Sequence, residues 1–202
     1  MASTPERVVL ASASTARAAL LRAAGIEFAI DPAAIDESRL KRRMRAAGEP
    51  AIACAAALAV EKARCVSARH PDALVIGADQ ILAIDAEWLD KPAGLPEARS
   101  QLQGLRGRVH ALATAAAIVK AGHILWSATS VPELTMRRFG DSFLDAYIAA
   151  EGESLLHSVG AYRLEGKGVQ LFSRIVGDHF AILGLPLIEL LEFLRERGAL
   201  PR

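Results

Sequence analysis

Short runs of β-branched and aliphatic residues alternate with stretches of helical period along nearly the whole chain, which is the pattern of a mixed α/β domain. At 202 residues the chain has the size of one generous domain, or of two small lobes around a shared core. Residues 7–10 (RVVL) read as a first strand, and Ser14 opens a helix that runs to about Ala24 and stops at Gly25. Residues 26–30 read as a second strand, closed by Asp31-Pro32. The stretch 33–48 carries IDES and a basic run and is expected to cross an exposed surface. Pro50, at a first helical position, starts the longest helix through residues 51–70. A buried strand at 74–76 leads into Gly77-Ala78-Asp79, followed by a second short strand at 80–84 and a turn at 85–87. A helix is expected over 96–105, then a long strand over 109–119 that turns at Ala121-Gly122 into an antiparallel partner at 123–127. A strand over 131–139, a helix capped by Asp141, strand pieces at 161–164 and 169–176, and a helix over 186–197 complete the pattern.

Composition narrows what such a domain can meet. Hydrophobic residues make up 52% and charged residues 23%, which excludes a chain too polar to collapse. Lys plus Arg number 24 against 23 Asp plus Glu, so the net charge is +1 and no overall field attracts nucleic acid or an anionic membrane. Any polyanion must be met locally. No apolar run reaches the ~18 uninterrupted positions of a membrane helix, so a soluble protein is expected. The N-terminal residues lack a basic segment followed by an apolar stretch, and a cytoplasmic location is expected. Cys54 and Cys65 fall in one predicted helix, ~16 Å apart along its axis and well beyond the ~7 Å Cα limit of a disulfide. They read as small buried hydrophobes.

A few residues could carry chemistry. In LASASTAR a strand feeds a helix through small hydroxyl residues, and the unpaired N–H groups of a helix start suit an anion such as phosphate. Arg17 lies in that first turn, where the helix dipole disfavours a cation unless a bound anion lies between. Asp36 and Glu37 fall in a loop after a strand. Asp79 ends the apolar run LVIGA, where α/β sheets tend to place ligands; a carboxylate there can take magnesium or deprotonate a water. Lys62 falls about 40° from Leu58 and about 60° from Cys65 on a helical wheel, at the edge of the apolar stripe, so it either snorkels to solvent or reaches a ligand. Lys91 precedes Pro92, which stiffens the chain beneath it. Gly107-Arg108 with His110 reads as a helix end with a cation beside the last carbonyls. The run Arg39, Lys41, Arg42, Arg43 and Arg45 lacks interleaved aromatics and is flanked by acids, so it reads as a solvated face. No Cys/His metal spacing, Walker loop, GxSxG elbow or dinucleotide fingerprint is present.

Singly these features are modest, but their order is specific. LASASTARAALL, IDES, EKA, GADQILAI, DKP, LRGRVH, GAY, EGKG and GLPL, over residues 10–187, resemble the Maf family of nucleoside triphosphate pyrophosphatases. The resemblance implies an elongated, two-lobed Maf/ITPase-like α/β fold with a central mixed sheet, flanking helices and a substrate cleft between the lobes. It also implies hydrolysis of a triphosphate between its α and β phosphates, with a divalent cation (Mg, Mn or Co) as cofactor. A homodimer is plausible on the same ground, and neither nucleic acid nor membrane is an expected partner. By position, Ser12, Ser14 and Arg17 match the phosphate-binding start, Glu37 the metal-side acid, Lys62 and Lys91 the phosphate lysines, and Asp79 the proton acceptor that shares the metal.

Three positions, Ala16, Gln80 and Glu165, bear on the base. Gln80 and Glu165, with the nearby LFSRI, resemble the 7-methyl-GTP subfamily, and a carboxylate at 165 complements guanine's N–H edge and a positively charged methylated ring. Ala16 departs, since that subfamily carries a tryptophan there, able to stack on a cationic base. The resemblance leaves open a dTTP or UTP preference and a non-catalytic role in septation.

Overall fold

The computed structural model describes residues 6–201. Its first half alternates β1 (Val8–Leu10), α1 (Thr15–Ala23), β2 (Phe28–Ile30), α2 (Glu37–Ala46), α3 (Ala51–Ser67), β3 (Leu74–Ile84) and β4 (Glu87–Leu89). The second half runs α4 (Leu95–Leu105), β5 (Val109–Lys120), β6 (His123–Ser130), β7 (Glu133–Met136), α5 (Asp141–Glu151), β8 (Phe172–Val176), α6 (His179–Ile182) and α7 (Leu187–Glu196). Three tight 3-10 turns, Gly152–His157, Val159–Ala161 and Lys167–Leu171, link α5 to β8. The eight strands form one mixed sheet in the order β2-β1-β3-β5-β7-β8, with β4 added to β3 and β6 to β5. The expected α/β class, a mixed sheet flanked by helices, is what the chain adopts.

The centre of the sheet is the antiparallel pair β3 and β5, in register from Val75↔Val119 to Ala83↔Ala111. β1 is parallel to β3 and stops at Leu10↔Ile76, whereas β3 runs on for eight more residues and acquires β4 at its far end. Successive strand residues point to opposite faces. Val75 and Ile81 therefore meet the α3 side, with Ala59 and Ala63, while Ile76 and Ala78 meet α1 and α7 on the other side. A further core, built on Leu82, Leu102, Leu112, Leu134 and Tyr162, fills the end covered by α4 and α5.

Alanines let α3 lie unusually close to the sheet. A Cβ on Gly77 would fall 2.1 Å from the Ala59 carbonyl oxygen and 2.7 Å from the Ala63 nitrogen, so only glycine fits beneath the helix. This approach decides what can reach Asp79.

Several expected boundaries differ. Residues 74–84 make one strand where two were expected, because β5 pairs without a break opposite them. The exposed crossing at 33–48 contains a surface helix, α2, with no buried residue; Leu40 and Met44, one turn apart, pack half-buried against the α3 cluster while the rest of the helix is largely charged. Residues 161–164 form no strand, since Gly160, at φ 76°, turns the chain tightly there. Strand β7 is shorter than the expected 131–139, and Gly140 rather than Asp141 caps α5. Pro50 precedes the first helical residue of α3, which ends at Ser67, and α6 is a short helix outside the expected elements. Cys54 is buried and Cys65 half-buried, and both are free thiols. Among the described residues, no helix is long and apolar enough to cross a membrane.

Gly77→Ala is expected to cost about 2–4 kcal/mol, because the added methyl meets helix backbone and cannot be relieved by a side-chain rotation. Urea unfolding of the variant beside wild type measures it.

Candidate active site

Three segments converge on one lysine. Lys62 lies on α3 one residue before Ala63, which sits over Gly77, and Asp79 follows Gly77 by two residues on the same face of β3. The Lys62 Nζ donates to Asp79 Oδ1 at 2.6 Å and pairs with Glu37 Oε1, on the first turn of α2, at 2.9 Å. Side-chain exposure is 9% for Lys62 and 7% for Asp79, against 44% for Glu37. The ammonium does not snorkel: the close helix leaves it no short path to water, and two carboxylates hold it. Asp79 Oδ2 is buried and has no hydrogen-bond partner among the described residues.

Asp79 does not end a strand as expected. It lies within β3, three residues beyond the last β1 partner, Ile76, so it still projects past the carboxyl end of the parallel pair where the α1 loop begins. There Ser14 caps α1, its Oγ accepting from Arg17 N at 3.3 Å, while Ser12 Oγ accepts from Ser14 N at 3.2 Å. Arg17 is buried, donating from Nη1 to Ser12 Oγ at 3.1 Å and from Nε to the Gly184 carbonyl at 2.9 Å. Burial pulls its guanidinium below the usual arginine range, against the attraction of Asp79 and Glu37. Lys91, two residues after β4, is exposed. Desolvation by the surrounding protein lowers its ammonium, and Arg17 and Lys62 push the same way. Three cations thus face two acids, a local positive excess in a chain of net charge +1.

Asp36 is a cap rather than a loop ligand: its Oδ1 accepts from Arg39 N at 2.9 Å and from Ser38 Oγ at 2.7 Å, and these bonds lower its carboxyl. Ala16 lies half-buried in α1. Gln80, one residue after Asp79, points to the opposite face of the sheet, where its amide nitrogen reaches Thr114 Oγ1, the Ala181 carbonyl and the Ile182 carbonyl. Glu165 lies in the turn region after α5, its Oε1 3.2 Å from Arg163 Nε. No hydrogen bond or ion pair among the described residues joins Glu165 to Ala16, Gln80 or the Lys62 cluster.

Two contributions escaped the sequence. Lys41, in the run taken for a solvated face, pairs with Asp90 Oδ1 at 2.6 Å beside Lys91, and Arg45 donates to the Trp88 carbonyl at 2.8 Å with its guanidinium 4.9 Å over the Trp88 ring. Glu37, Lys41 and Arg45 recur every four residues on one side of α2, a signal that needs the helix to be recognised first. Arg39, Arg42, Arg43 and Arg45 are exposed, as expected, and Lys41 is half-buried. His110 is the other: it is buried, 2.8 Å from the Tyr162 hydroxyl, with no partner for Nδ1 among the described residues, and so is no helix-end cation. Arg108 does reach the Gly104 carbonyl, at 3.0 Å. A depression of about 330 Å³ on the outer side of α3, lined by Leu40, Arg43, Val60, Glu61 and Arg64, contains none of the expected site residues.

The arrangement is a buried lysine between two carboxylates at the sheet, with a capped helix start and a buried arginine on the neighbouring α1 segment. Residues 7–197 match the family described as Maf-like protein, and the chain belongs to that family. It is 51% identical over 194 residues to a protein of Granulibacter bethesdensis named nucleoside triphosphate pyrophosphatase, covering 96% of this chain and 98% of that one. A protein of the same name from Paramagnetospirillum magneticum is 52% identical over 192 residues, covering 95% and 99%. A Rhizobium meliloti protein named 7-methyl-GTP pyrophosphatase is 45% identical over 193 residues, covering 96% and 97%.

Lys62→Met leaves Asp79 buried without its cation and is expected to cost about 3 kcal/mol or more, while Glu37→Gln, at a half-exposed position, costs under about 1 kcal/mol. Chemical denaturation of the two variants separates these outcomes. Burial lowers His110 from 6.5 to about 4, so the folded protein takes up that proton later than the unfolded chain. Stability is therefore lost as pH falls from 6.5 towards 4, by roughly 3 kcal/mol from this group. His110→Phe should flatten that part of the stability–pH curve relative to wild type.

Proposed function

We propose that this chain is a nucleoside triphosphate pyrophosphatase, hydrolysing the α–β phosphoanhydride to a nucleoside monophosphate and pyrophosphate. The observation that carries this reading is Asp79, held through Oδ1 by a buried lysine and free at Oδ2. Lys62 orients the carboxylate through Oδ1, and Asp79 accepts the proton of the attacking water. Lys62, Lys91 and Arg17, with the Ser12 and Ser14 hydroxyls at the start of α1, gather the phosphate charge. Their preorganised positive field favours the dispersed charge of the transition state. The names of the Granulibacter and Paramagnetospirillum relatives support the reaction.

The donor set suits a divalent cation such as Mg, Mn or Co. Asp79 has an orphaned buried oxygen, and Glu37 reaches the same lysine nitrogen from an exposed position. Magnesium usually takes one or two protein carboxylates and completes its shell with water and substrate phosphate oxygens. Glu37 and Asp79 would hold it, and when bound it supplies neutralisation of the phosphate oxygens at the bond to be broken.

For the base, 7-methyl-GTP is our choice, supported by the name of the Rhizobium relative and by a carboxylate at 165 able to accept guanine's N–H edge. Ala16 brings no ring to stack on the base, so affinity rests on the polyphosphate contacts more than on the purine.

Incubation with magnesium and 7-methyl-GTP, GTP, UTP, dTTP or ITP is expected to yield monophosphate and pyrophosphate, fastest with 7-methyl-GTP. Asp79→Asn should lower turnover by roughly 10²-fold or more with the fold retained by circular dichroism. Near-wild-type rates in that variant would remove Asp79 as base, and orthophosphate as first product would remove the reaction.

A further inference from the structure

Gln80 has no free edge to offer a base with its amide nitrogen. That nitrogen lies 2.9 Å from Thr114 Oγ1, 2.8 Å from the Ala181 carbonyl and 3.1 Å from the Ile182 carbonyl. Thr114 is the register partner of Gln80 across β3 and β5, is fully buried, and its own hydroxyl donates to the Ala181 carbonyl at 2.9 Å. Ala181 and Ile182 close the four-residue α6; the Ala181 carbonyl already accepts from Gly184 N at 3.0 Å, and these end carbonyls have room for further donors from outside the helix. The sheet supplies them.

Two residues further on, the same turn reaches Arg17. Gly184 has φ +105°, a conformation L side chains rarely adopt, and a Cβ there would stand 3.1 Å from Arg17 Nε. Its carbonyl accepts from that Nε at 2.9 Å, and Arg17 Nη1 is held by Ser12. Among the described residues, Nη2 has no protein partner, which leaves its donors for an anion. Asp178 closes the other end of the turn by accepting from Phe180 N and Ala181 N at 2.9 and 3.0 Å.

We propose that Gln80 is a positioning residue for Arg17: with Thr114 it clamps the 179–184 turn, and the Gly184 carbonyl of that turn holds the guanidinium in the orientation that receives phosphate. The inference rests on the reading of Arg17 as a phosphate ligand. Its consequence differs from that of a base contact, because a clamp on Arg17 acts on any polyphosphate, with or without a nucleoside.

Inorganic tripolyphosphate, which has no base, is the discriminating probe. Its binding is measured by calorimetry on wild type, Gln80→Leu, Thr114→Val and Thr114→Ser, beside kcat and KM for 7-methyl-GTP, GTP and UTP and a melting curve for each protein. Gln80→Leu is expected to weaken tripolyphosphate by about tenfold, the scale of one lost buried hydrogen bond, and to lower kcat/KM for all three nucleotides by a common factor. Thr114→Val should give the same pattern with a smaller factor, and Thr114→Ser, which keeps the hydroxyl, should restore wild-type binding. Gln80→Leu combined with Arg17→Lys should lose less than the product of the two single effects. A Gln80→Leu protein that binds tripolyphosphate normally while its preference among bases shifts would overturn the proposal, as would a lower melting temperature with tripolyphosphate binding unchanged. Should Gln80→Leu fail to fold, the contrast between Thr114→Val and Thr114→Ser decides alone, equal tripolyphosphate affinity in the two overturning it. Wild type that binds tripolyphosphate but releases no pyrophosphate from any nucleotide would sink the proposed reaction and leave the clamp to be judged on binding.

Discussion

The ammonium of Lys62, shared between a buried aspartate and a half-exposed glutamate, is the interaction on which the site depends. Burying an unpaired carboxylate is expensive, so Asp79 can be buried only because α3 delivers a cation to it. That delivery depends in turn on the contact of α3 with β3 at Gly77, where helix backbone meets strand with no room for a methyl group. Packing and chemistry share one stretch of chain: the glycine that seats the helix and the aspartate that meets its lysine are two residues apart.

Strand β3 then serves both faces of the sheet through its alternation. Asp79 points to α3 and the charged cluster, while Gln80 points to the turn that carries Gly184 and, through it, Arg17. The parallel strand beside β3 ends at Leu10, so both residues lie beyond it on opposite faces of the sheet. Helix α2 completes the enclosure without entering the core. It buries no residue, and Glu37, Lys41 and Arg45 tie it to Lys62, Asp90 and Trp88.

Much of this architecture is legible from local pattern. The cap at Ser14, the glycine stop at Gly25, the long alanine-rich α3 and the hairpin at Ala121-Gly122 follow from short-range rules that hold wherever the elements pack. Failures occur where local signals are weak or a distant partner intervenes. Helix α2 is mostly charged and offers only Leu40 and Met44 as an apolar pair one turn apart, and the turns around Gly160 resemble strand pieces because their apolar residues point into a core from irregular backbone. His110 carries no mark in the sequence of whether it meets solvent or Tyr162.

The amino-acid order by itself determined the α/β class, most element positions, and a short roster of ionisable residues suited to a polyphosphate, since periodicity, caps and charge type are properties of neighbouring residues. Only the tertiary structure decided that Lys62 is buried between Asp79 and Glu37, that Lys41 tethers α2 to Asp90, and that Gln80 turns away from Asp79 to hold the 179–184 segment. Each of those outcomes depends on the approach of elements far apart along the chain. Such approach is set by close packing of small residues, to which charge pattern and helical period are blind.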